Sequence, residues 1–296
     1  MSLPTLSDHR KGLLLTAIGG LALSMDIPLV RLAHGDMWSI VGMRSITTVA
    51  VTLLILCAIR WMKGSWPAMV PGKSGLLAGF LYGLSTITFL LAVFHTTTAN
   101  VVFIVAFNPM FGALLSWRFL KERPSVSTLV TMAVMILGVG MIVGDGLAGG
   151  HSFGDAMALL AALVLASAIT VGRASRRAMG FVPLLGATFP AVLGLANALP
   201  TGLVIEHPAW IIFNGAVLMP VSFWCLASGP RYLSAPEVGM FYLLETILAP
   251  IWIWLIFAET PPVMTLIGGS ILVTAIMAHS LWMVRKQPGT QQAPAA

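Results

Sequence analysis

The stretch NVVFIVAFNPMFGALLSWRFLKERP, residues Asn100–Pro124, can be laid on EVGMFYLLETILAPIWIWLIFAETP, residues Glu237–Pro261, without a gap. Each stretch contains an apolar run of about 20 residues, the length that a helix needs to cross the hydrocarbon core of a bilayer. Each ends in an acid followed two residues later by proline, so that Glu122 corresponds to Glu259. Few residues are identical, but the match predicts a duplicated membrane-spanning unit.

Composition places the whole chain in a membrane. Apolar residues make up 58% of the 296 positions and charged residues only 9%, against about 25% charged residues in an ordinary soluble domain. The first apolar run is too long for a signal peptide and is predicted to be retained. Ten runs are long enough to span a bilayer, and they are residues 12–33, 37–60, 74–94, 97–119, 125–144, 154–173, 180–205, 208–228, 233–257 and 262–284.

Positive charge alternates between the gaps that separate these runs. All but two of the 16 Lys and Arg residues lie at the termini or in every second gap, and the two exceptions are Arg31 and Arg44. Because short positively charged loops resist translocation, both termini are predicted to be cytoplasmic. The net charge of +6 then orients the chain and contacts anionic lipid, so membrane lipid rather than nucleic acid is the expected partner.

The charge pattern strengthens the duplication. A second match sets Leu23–Arg31 on Leu165–Arg173. Five spans per half is an odd number, so the second half must enter the membrane inverted. We therefore predict an all-α protein with a first five-helix repeat over 1–148, a second, inverted repeat over 149–286, and a disordered cytoplasmic tail over 287–296.

Inverted repeats are typical of secondary transporters, whose solute site lies near the membrane midplane between the two halves. The linker between the halves is predicted to be the Gly-rich segment Asp145–Asp155. In the inverted arrangement Glu122 lies among cytoplasmic cations, whereas Glu259 lies on the outer side without them. Proline inside five of the spans permits kinks, at Pro28, Pro109, Pro190, Pro220 and Pro250. Gly75, Gly79 and Gly83 predict a seam for close helix contact.

The end of the fourth span resembles a known family. The segment NPMFGALLSWRFLKE, Asn108–Glu122, is similar to the corresponding segment of the drug/metabolite transporter superfamily, and Arg44 matches an Arg common in its second span. The second copy, Glu245–Glu259, departs by placing Thr246 where the family usually has proline. The resemblance implies a ten-helix carrier of the cytoplasmic (inner) membrane, commonly an exporter of amino acids or other metabolites, close to the bacterial aromatic amino acid exporters.

Two charged residues lie at membrane depth in neighbouring spans. Asp26 and Arg44 are each about seven residues from the predicted outer span end, at a depth of roughly 10 Å. Charges inside a membrane pair with one another or contact the transported solute. We expect an ion pair with a structural or gating role, and direct solute contact is the alternative. Arg31 is close enough to the interface to act as an anchor that snorkels to water.

Two helical stripes, one in each copy of the duplicated unit, mix polar and large apolar side chains. Such stripes suit a cavity for an amphipathic solute, although Asn and carboxylates also join membrane helices by hydrogen bonds. Tyr82 of the third span is a further lining candidate, with core or lipid contact as its alternative. The candidate solute-binding residues are Tyr82, Asn100, Phe107, Asn108, Phe111, Glu237, Phe241, Glu245 and Trp252. Glu245 is also the candidate for a protonation switch, because withdrawal from water disfavours a charged carboxylate.

These features predict a secondary carrier that works by alternating access and moves a small amphipathic metabolite outward. Amino acids, aromatic or apolar, are the expected solutes, with a proton as a possible coupling ion. No ATP-binding loop occurs in the sequence. A channel-like facilitator is the alternative, and an intramembrane enzyme the next, although no H-E-x-x-H or G-x-S-x-G motif occurs. The six His residues have no ligand spacing, so neither metal nor cofactor is expected. The oligomeric state is left open.

Overall fold

The computed structural model describes residues 6–66, 69–70, 72–175, 179–228, 232 and 235–286. Within these residues the regular secondary structure is helical, and the β-type contact is a single bridge between Gly35 and Ile205. The helices are α1 (Leu6–Ser24), α2 (Asp26–Leu32), α3 (Met37–Lys63), α4 (Gly72–His95), α5 (Thr98–Val105), α6 (Asn108–Leu115), α7 (Val126–Ala148), α8 (Ser152–Ser175), α9 (Val182–Gly186), α10 (Thr188–Ala198), α11 (Pro208–Phe213), α12 (Met219–Ser228), α13 (Ala235–Phe257) and α14 (Val263–Lys286). Short π-helical segments continue α6 over Ser116–Leu120 and join α11 to α12 over Asn214–Leu218.

Eight helical stretches of the described chain are long and apolar enough to cross a membrane. They are Arg10–Leu32, Met37–Lys63, Gly72–His95, Thr98–Leu120, Val126–Gly144, Ser152–Ser175, Pro208–Leu226 and Val263–Met283. Two shorter apolar helices, Val182–Ala198 and Phe241–Phe257, lie at the seventh and ninth predicted runs. The seventh run was predicted to extend to residue 205, but its helix ends at Ala198, where a turn begins.

Proline interrupts three of the spans. Proline has no N–H, so the carbonyl four residues before it loses its helical partner. In each interrupted span the first helix ends at the residue that carries this carbonyl, and the three pairs are Ser24 with Pro28, Val105 with Pro109, and Gly186 with Pro190. Pro220 follows the π-helical segment of the eighth span, whereas Pro250 lies within an unbroken α13. Three of the five predicted kink positions therefore coincide with helix breaks.

Helices from the two halves of the chain pack against each other throughout. Helix α4 packs on α8, and α1 packs on α12; α6 contacts α8, and α1 contacts α13. Close crossings join α3 to α10 and α7 to α14. A Cβ added to Gly194 would lie 2.5 Å from the nitrogen of Gly42, and one added to Gly268 would lie 2.6 Å from the oxygen of Gly138. Only glycine allows these backbones to approach so closely.

The predicted glycine seam of the third span meets α9. A Cβ added to Gly83 would lie 2.6 Å from the carbonyl oxygen of Gly186, and one added to Gly186 would lie 2.6 Å from the carbonyl oxygen of Gly79. Gly75 is buried on the same helix. The seam therefore brings α4 into backbone contact with α9, as expected of small residues at i, i+4 and i+8.

The helix ends form two opposite faces. At one, the His207 nitrogen donates to the Ala33 carbonyl over 3.0 Å, and the Glu206 nitrogen donates to the His34 carbonyl over 2.8 Å. We call this end, which also carries Asp155 near the start of α8, the His34 face. The other end of α8 carries Arg173, about 27 Å away at 1.5 Å per residue. We call that end, where Arg173 meets Glu122, the Glu122 face.

The predicted linker is shorter in the structure. Helix α7 continues to Ala148 and α8 begins at Ser152, so residues 149–151 alone connect them. Asp155, expected in a loop between spans, is instead buried within α8 with 1% of its surface exposed. The predicted tail 287–296 lies outside the described residues.

Candidate functional site

A buried triad of Asp26, Arg44 and Asn214 lies between α2, α3 and the second π-helical segment. The Nη2 of Arg44 donates to both carboxylate oxygens of Asp26, over 2.7 and 2.9 Å. Its Nε donates to the Asn214 Oδ1 over 3.0 Å, and the Asn214 Nδ2 donates to the Asp26 Oδ1 over 2.7 Å. The ion pair expected from sequence is thus present, and a third residue closes it into a ring. The two charged side chains are 7% and 5% exposed.

Local backbone structure places the triad. The break that Pro28 causes makes Asp26 the first residue of α2, so this carboxylate projects from the point where the helix is interrupted. A Cβ added to Gly215 would lie 2.3 Å from the Arg44 carbonyl oxygen, so the π-helical segment rests directly on α3. The Thr48 hydroxyl donates to the Gly215 carbonyl over 2.9 Å across the same contact. A buried ion pair is stable only where further hydrogen bonds satisfy it, and Asn214 supplies them.

Glu245 lies beside this triad. Its carboxylate interacts electrostatically with both Asp26 and Arg44. The Tyr242 hydroxyl, one helical turn away on α13, interacts with Glu245 and with Tyr82 of α4. Glu245 and Tyr82 are half-buried, and Tyr242 is 44% exposed. These three side chains come from helices of both halves, and each keeps part of its surface accessible.

The candidate solute-binding residues of the fourth span lie on both sides of and within a helix break. Asn108 begins α6 after the break, and its Nδ2 donates to the Ala162 carbonyl of α8 over 3.2 Å. The rings of Phe107 and Phe111 pack edge to face with centroids 5.3 Å apart. Phe107 is buried, whereas Asn108 and Phe111 are half-buried. Asn108 therefore joins two helices while part of its surface stays accessible.

The stripe of the ninth span divides between two surroundings. Phe241 packs partly against an apolar cluster that includes Leu23 and Leu218. The indole N–H of Trp252 donates to the Ser24 hydroxyl of α1 over 3.0 Å. Glu237 lies in α13, but its side chain is outside the described part of the structure. The structure thus brings Glu245 to the triad, whereas Phe241 and Trp252 contact α1 and its neighbours.

Asn100 belongs to a second buried cluster, close to the His34 face. Its Nδ2 donates to the Asp155 Oδ1 over 3.1 Å, and its Oδ1 accepts from the Thr265 hydroxyl over 2.8 Å. The Thr96 hydroxyl donates to the same Asp155 oxygen over 2.7 Å. These contacts join α5, α8 and α14, which is the arrangement that the helix-contact alternative for Asn100 describes.

Arg31 has a partner that the sequence interpretation did not provide. Its Nη2 donates to the Glu259 Oε1 over 2.7 Å, and its Nη1 donates to the Glu259 Oε2. Its guanidinium also lies 5.1 Å from the Phe257 ring centre. Arg31, predicted to be an interfacial anchor, thus also binds an acid, and Glu259, predicted to lie without cations, has one beside it. The alignments of the two halves contain both residues of this ion pair, because they make Arg31 equivalent to Arg173 and Glu259 equivalent to Glu122.

Asn214 and Tyr242 were not singled out from the sequence. Tyr242 lies three residues before Glu245, so the helical spacing that places residues beside this acid could also have identified Tyr242. Asn214 is a lone amide in an apolar run, which is a signal of a polar contact at membrane depth. In the part of the chain that the structure describes, no group of three or more His, Cys, Asp or Glu residues is placed to hold a metal ion.

Comparison with known proteins finds a family model that matches the first part of the chain. Residues 10–144 match the EamA-like transporter family. This part of the chain is similar to a family of the drug/metabolite transporter superfamily. The superfamily predicted from the fourth-span motif is confirmed. An EamA-like chain with these apolar helices is a multi-pass transporter of the inner membrane.

Relatives of this EamA-like transporter extend the match beyond its first half. The pseudopaline exporter CntI of Pseudomonas aeruginosa is 25% identical over 279 residues, which cover 92% of this chain and 96% of that protein. The same exporter of a second strain is 24% identical over the same length. A solved crystal structure covers 94% of this chain and 100% of its own, with a TM-score of 0.65 at 14% identity, and thus shares its fold.

Proposed function

We propose that this transporter is a secondary carrier of ten spans, built from two inverted repeats over 1–148 and 149–286, with both termini in the cytoplasm. The helix contacts support the repeat. Exchange of the two halves replaces each span by the one five places further along, with the sixth span replaced by the first. The contact between α4 and α8 then corresponds to that between α12 and α1, and the contact between α6 and α8 corresponds to that between α13 and α1. The same exchange leaves the crossings of α3 with α10 and of α7 with α14 unchanged, because the two helices of each crossing trade places. The positive charge of the Glu122 face supports a cytoplasmic assignment of that face.

The proposed solute site is the accessible surface around Glu245, Tyr242 and Tyr82, next to the ion pair of Asp26 and Arg44. The observation that carries this proposal is the position of Glu245, an acid at membrane depth that is half-buried and interacts electrostatically with both members of the pair. Intramembrane acids commonly mark the path of a solute or a proton. Phe111 and Asn108 extend the site on the side of α6.

The chemistry of the site favours a small zwitterion with an apolar part. Glu245 would attract an ammonium group, and Arg44 would attract a carboxylate, because its described hydrogen bonds use Nε and Nη2 and leave Nη1. The tyrosine rings suit an apolar or aromatic side chain. Amino acids fit this description. The pseudopaline exporter of Pseudomonas aeruginosa supports an outward direction of transport.

Broken helices would let the carrier expose this site to one face at a time. The first, fourth and seventh spans are interrupted at proline breaks, and Asp26 and Asn108 each begin a helix after one. Short half-helices can tilt at such breaks without losing their remaining hydrogen bonds. The residues that line the solute site would therefore move with the gates, and binding of solute would be coupled to opening.

Purified protein in liposomes tests the carrier. Wild-type vesicles loaded with an unlabelled amino acid are expected to accumulate the labelled form faster than empty vesicles, because a carrier returns more quickly with solute bound. A channel-like facilitator would show no such trans-acceleration. A screen of radiolabelled amino acids, with and without a proton gradient, identifies the solute and the coupling.

Glu245→Gln tests the site itself. Loss of the carboxylate is expected to lower counterflow at least tenfold, about 1.4 kcal/mol, and to remove any dependence on an imposed pH gradient. Glu206→Gln is the matched control, because Glu206 is an exposed acid at the His34 face. Glu245→Gln protein that transports like this control, with an unchanged response to pH, would contradict both roles of Glu245.

A further inference from the structure

Two ion pairs of the structure are related by the duplication. The alignment of Leu23–Arg31 with Leu165–Arg173 makes Arg31 equivalent to Arg173, and the alignment of the fourth span with the ninth makes Glu122 equivalent to Glu259. In the structure Arg31 pairs with Glu259, and Arg173 pairs with Glu122. Exchange of the two repeats therefore converts each pair into the other, although the alignments use sequence alone and the pairs come from the folded chain.

The two arginines also have matching surroundings. The Nη2 of Arg173 lies 2.8 Å from the Glu122 Oε2, and its Nη1 donates to the Ser116 hydroxyl over 3.4 Å. The Nη1 of Arg31 likewise donates to a hydroxyl, that of Thr98, over 3.4 Å. Each arginine thus binds one acid of the other half and one hydroxyl of the fourth span.

The pairs lie at opposite faces and each includes a segment beyond a proline break. Arg31 is on α2, the half-helix that follows the break at Met25. Glu122 follows the π-helical segment that continues α6, beyond the break at Ala106 and Phe107. Each ion pair therefore ties a segment that can tilt to a helix end of the other half.

A cavity lies at the first of these pairs. It has a volume of about 390 Å³ at the His34 face and is lined by Arg31, Glu259, Val30, Ile40 and Phe257, among others. This volume is within the range of small-molecule sites. The pair of Arg31 and Glu259 forms part of its wall, so separation of the two side chains would widen it.

We propose that Arg31–Glu259 and Arg173–Glu122 are the two gates of the transport cycle, related by the repeat, each of which breaks when its own face opens. The proposal rests on the proposed carrier function and identifies the residues that control access to its site. When the carrier changes sides, the broken ion pair forms and the formed ion pair breaks. Both ion pairs are formed in this structure.

The strength of the pairs suits gates that break in every cycle. Their side chains are 30% and 47% exposed at the His34 face and 56% and 51% exposed at the Glu122 face. Exposed ion pairs are weak, so removal of one is expected to shift an opening equilibrium only about two- to fivefold. Arg31 is the more buried arginine and has the Phe257 ring beside it, so loss of its pair should have the larger effect.

Cysteine labelling in nanodiscs, where both faces are accessible, tests the proposal. The native Cys57 and Cys225 are first changed to Ser. One reporter, Ile40→Cys, is 1% exposed and lines the cavity at the His34 face. The other, Thr170→Cys, is 7% exposed on α8, one turn inward from Arg173. The rate of reaction with a membrane-impermeant maleimide then reports the opening of each face.

Opposite results are expected from the two neutral variants. Glu259→Gln should raise labelling of the first reporter about two- to fivefold and lower that of the second, whereas Glu122→Gln should do the reverse. The exchange Arg31→Glu with Glu259→Arg should return both rates towards wild type. Glu206→Gln, at the same face as Glu259, should leave both rates unchanged.

The gates are wrong if Glu259→Gln labels like Glu206→Gln, or if one variant raises both rates together. Counterflow by the wild-type protein separates this failure from a failure of the proposed function. Trans-acceleration without reciprocal labelling keeps the carrier and removes the gates. Reciprocal labelling without trans-acceleration keeps the gates and removes the carrier.

Discussion

The structure contains two buried carboxylates with contrasting surroundings, Asp26 in the triad with Arg44 and Asn214, and Asp155 near the His34 face. Asp26 faces an arginine and an amide, and the acid Glu245 interacts with it from α13. Asp155 has uncharged hydrogen-bond donors, the Asn100 amide and the Thr96 hydroxyl. Both are at most 3% exposed. Burial of an acid therefore does not by itself mark a transport site, and the partners distinguish the two roles.

The difference follows from what each cluster joins. The Asp155 cluster ties α5 and α8 to α14, which crosses α7 through close glycines, so its geometry has little freedom to change. The Asp26 triad lies at a proline break and on a π-helical segment, where the backbone can adjust. Charges placed at such a point can respond to a solute, whereas the uncharged contacts of the Asp155 cluster hold helices together.

Arg44→Gln should have the largest effect on stability. It leaves Asp26 buried without a cation, and removal of one partner of a buried pair costs about 3–5 kcal/mol. Thermal unfolding of the detergent-solubilised protein measures the loss. The double variant Asp26→Asn with Arg44→Gln should regain most of the stability but little of the transport, because a neutral pair can still hydrogen-bond. Equal recovery of stability and transport in the double variant would show that the ion pair has a structural role, like the Asp155 cluster.

Asp155→Ala should have a smaller effect on stability. It removes the acceptor of the Asn100 amide and the Thr96 hydroxyl, and an unsatisfied buried donor costs about 1–3 kcal/mol. The same unfolding assay applies. The KM of the folded fraction in counterflow should not change, because the cluster is proposed to hold helices and not solute. A raised KM at normal stability would move Asp155 into the transport site.

Tyr242→Phe should have the smallest effect of the three. It removes a hydroxyl that interacts with Glu245 and Tyr82 but keeps the ring. A hydrogen bond from this hydroxyl to the solute would contribute about 0.5–1.5 kcal/mol, so we expect a two- to tenfold rise in KM for the solute at unchanged unfolding temperature. Tyr232→Phe, which changes a tyrosine outside the proposed site, is the control. Indistinguishable KM values for the two variants would remove Tyr242 from the site.

The sequence by itself determined the membrane class, the superfamily and the approximate positions of the apolar helices that the structure describes. These conclusions depend on composition, on period and on the Lys and Arg bias, which act over whole segments and are insensitive to packing. The ion pair of Asp26 and Arg44 was within reach for the same reason, since helical rise alone places both at one depth. The choice of Glu245 as a candidate solute-site residue depends on the rarity of acids in membrane spans.

Tertiary structure decided which polar residues face each other. The stripe that joined Asn100 to Asn108 was divided, because a break at Ala106 and Phe107 interrupts the helical period on which the stripe depended. Asn214 and the partner of Arg31 depend on contacts between residues more than 150 positions apart, which no local period can encode. Only the folded chain shows that Glu122 and Glu259, the two acids of the aligned stretches, each meet an arginine of the opposite half of the chain.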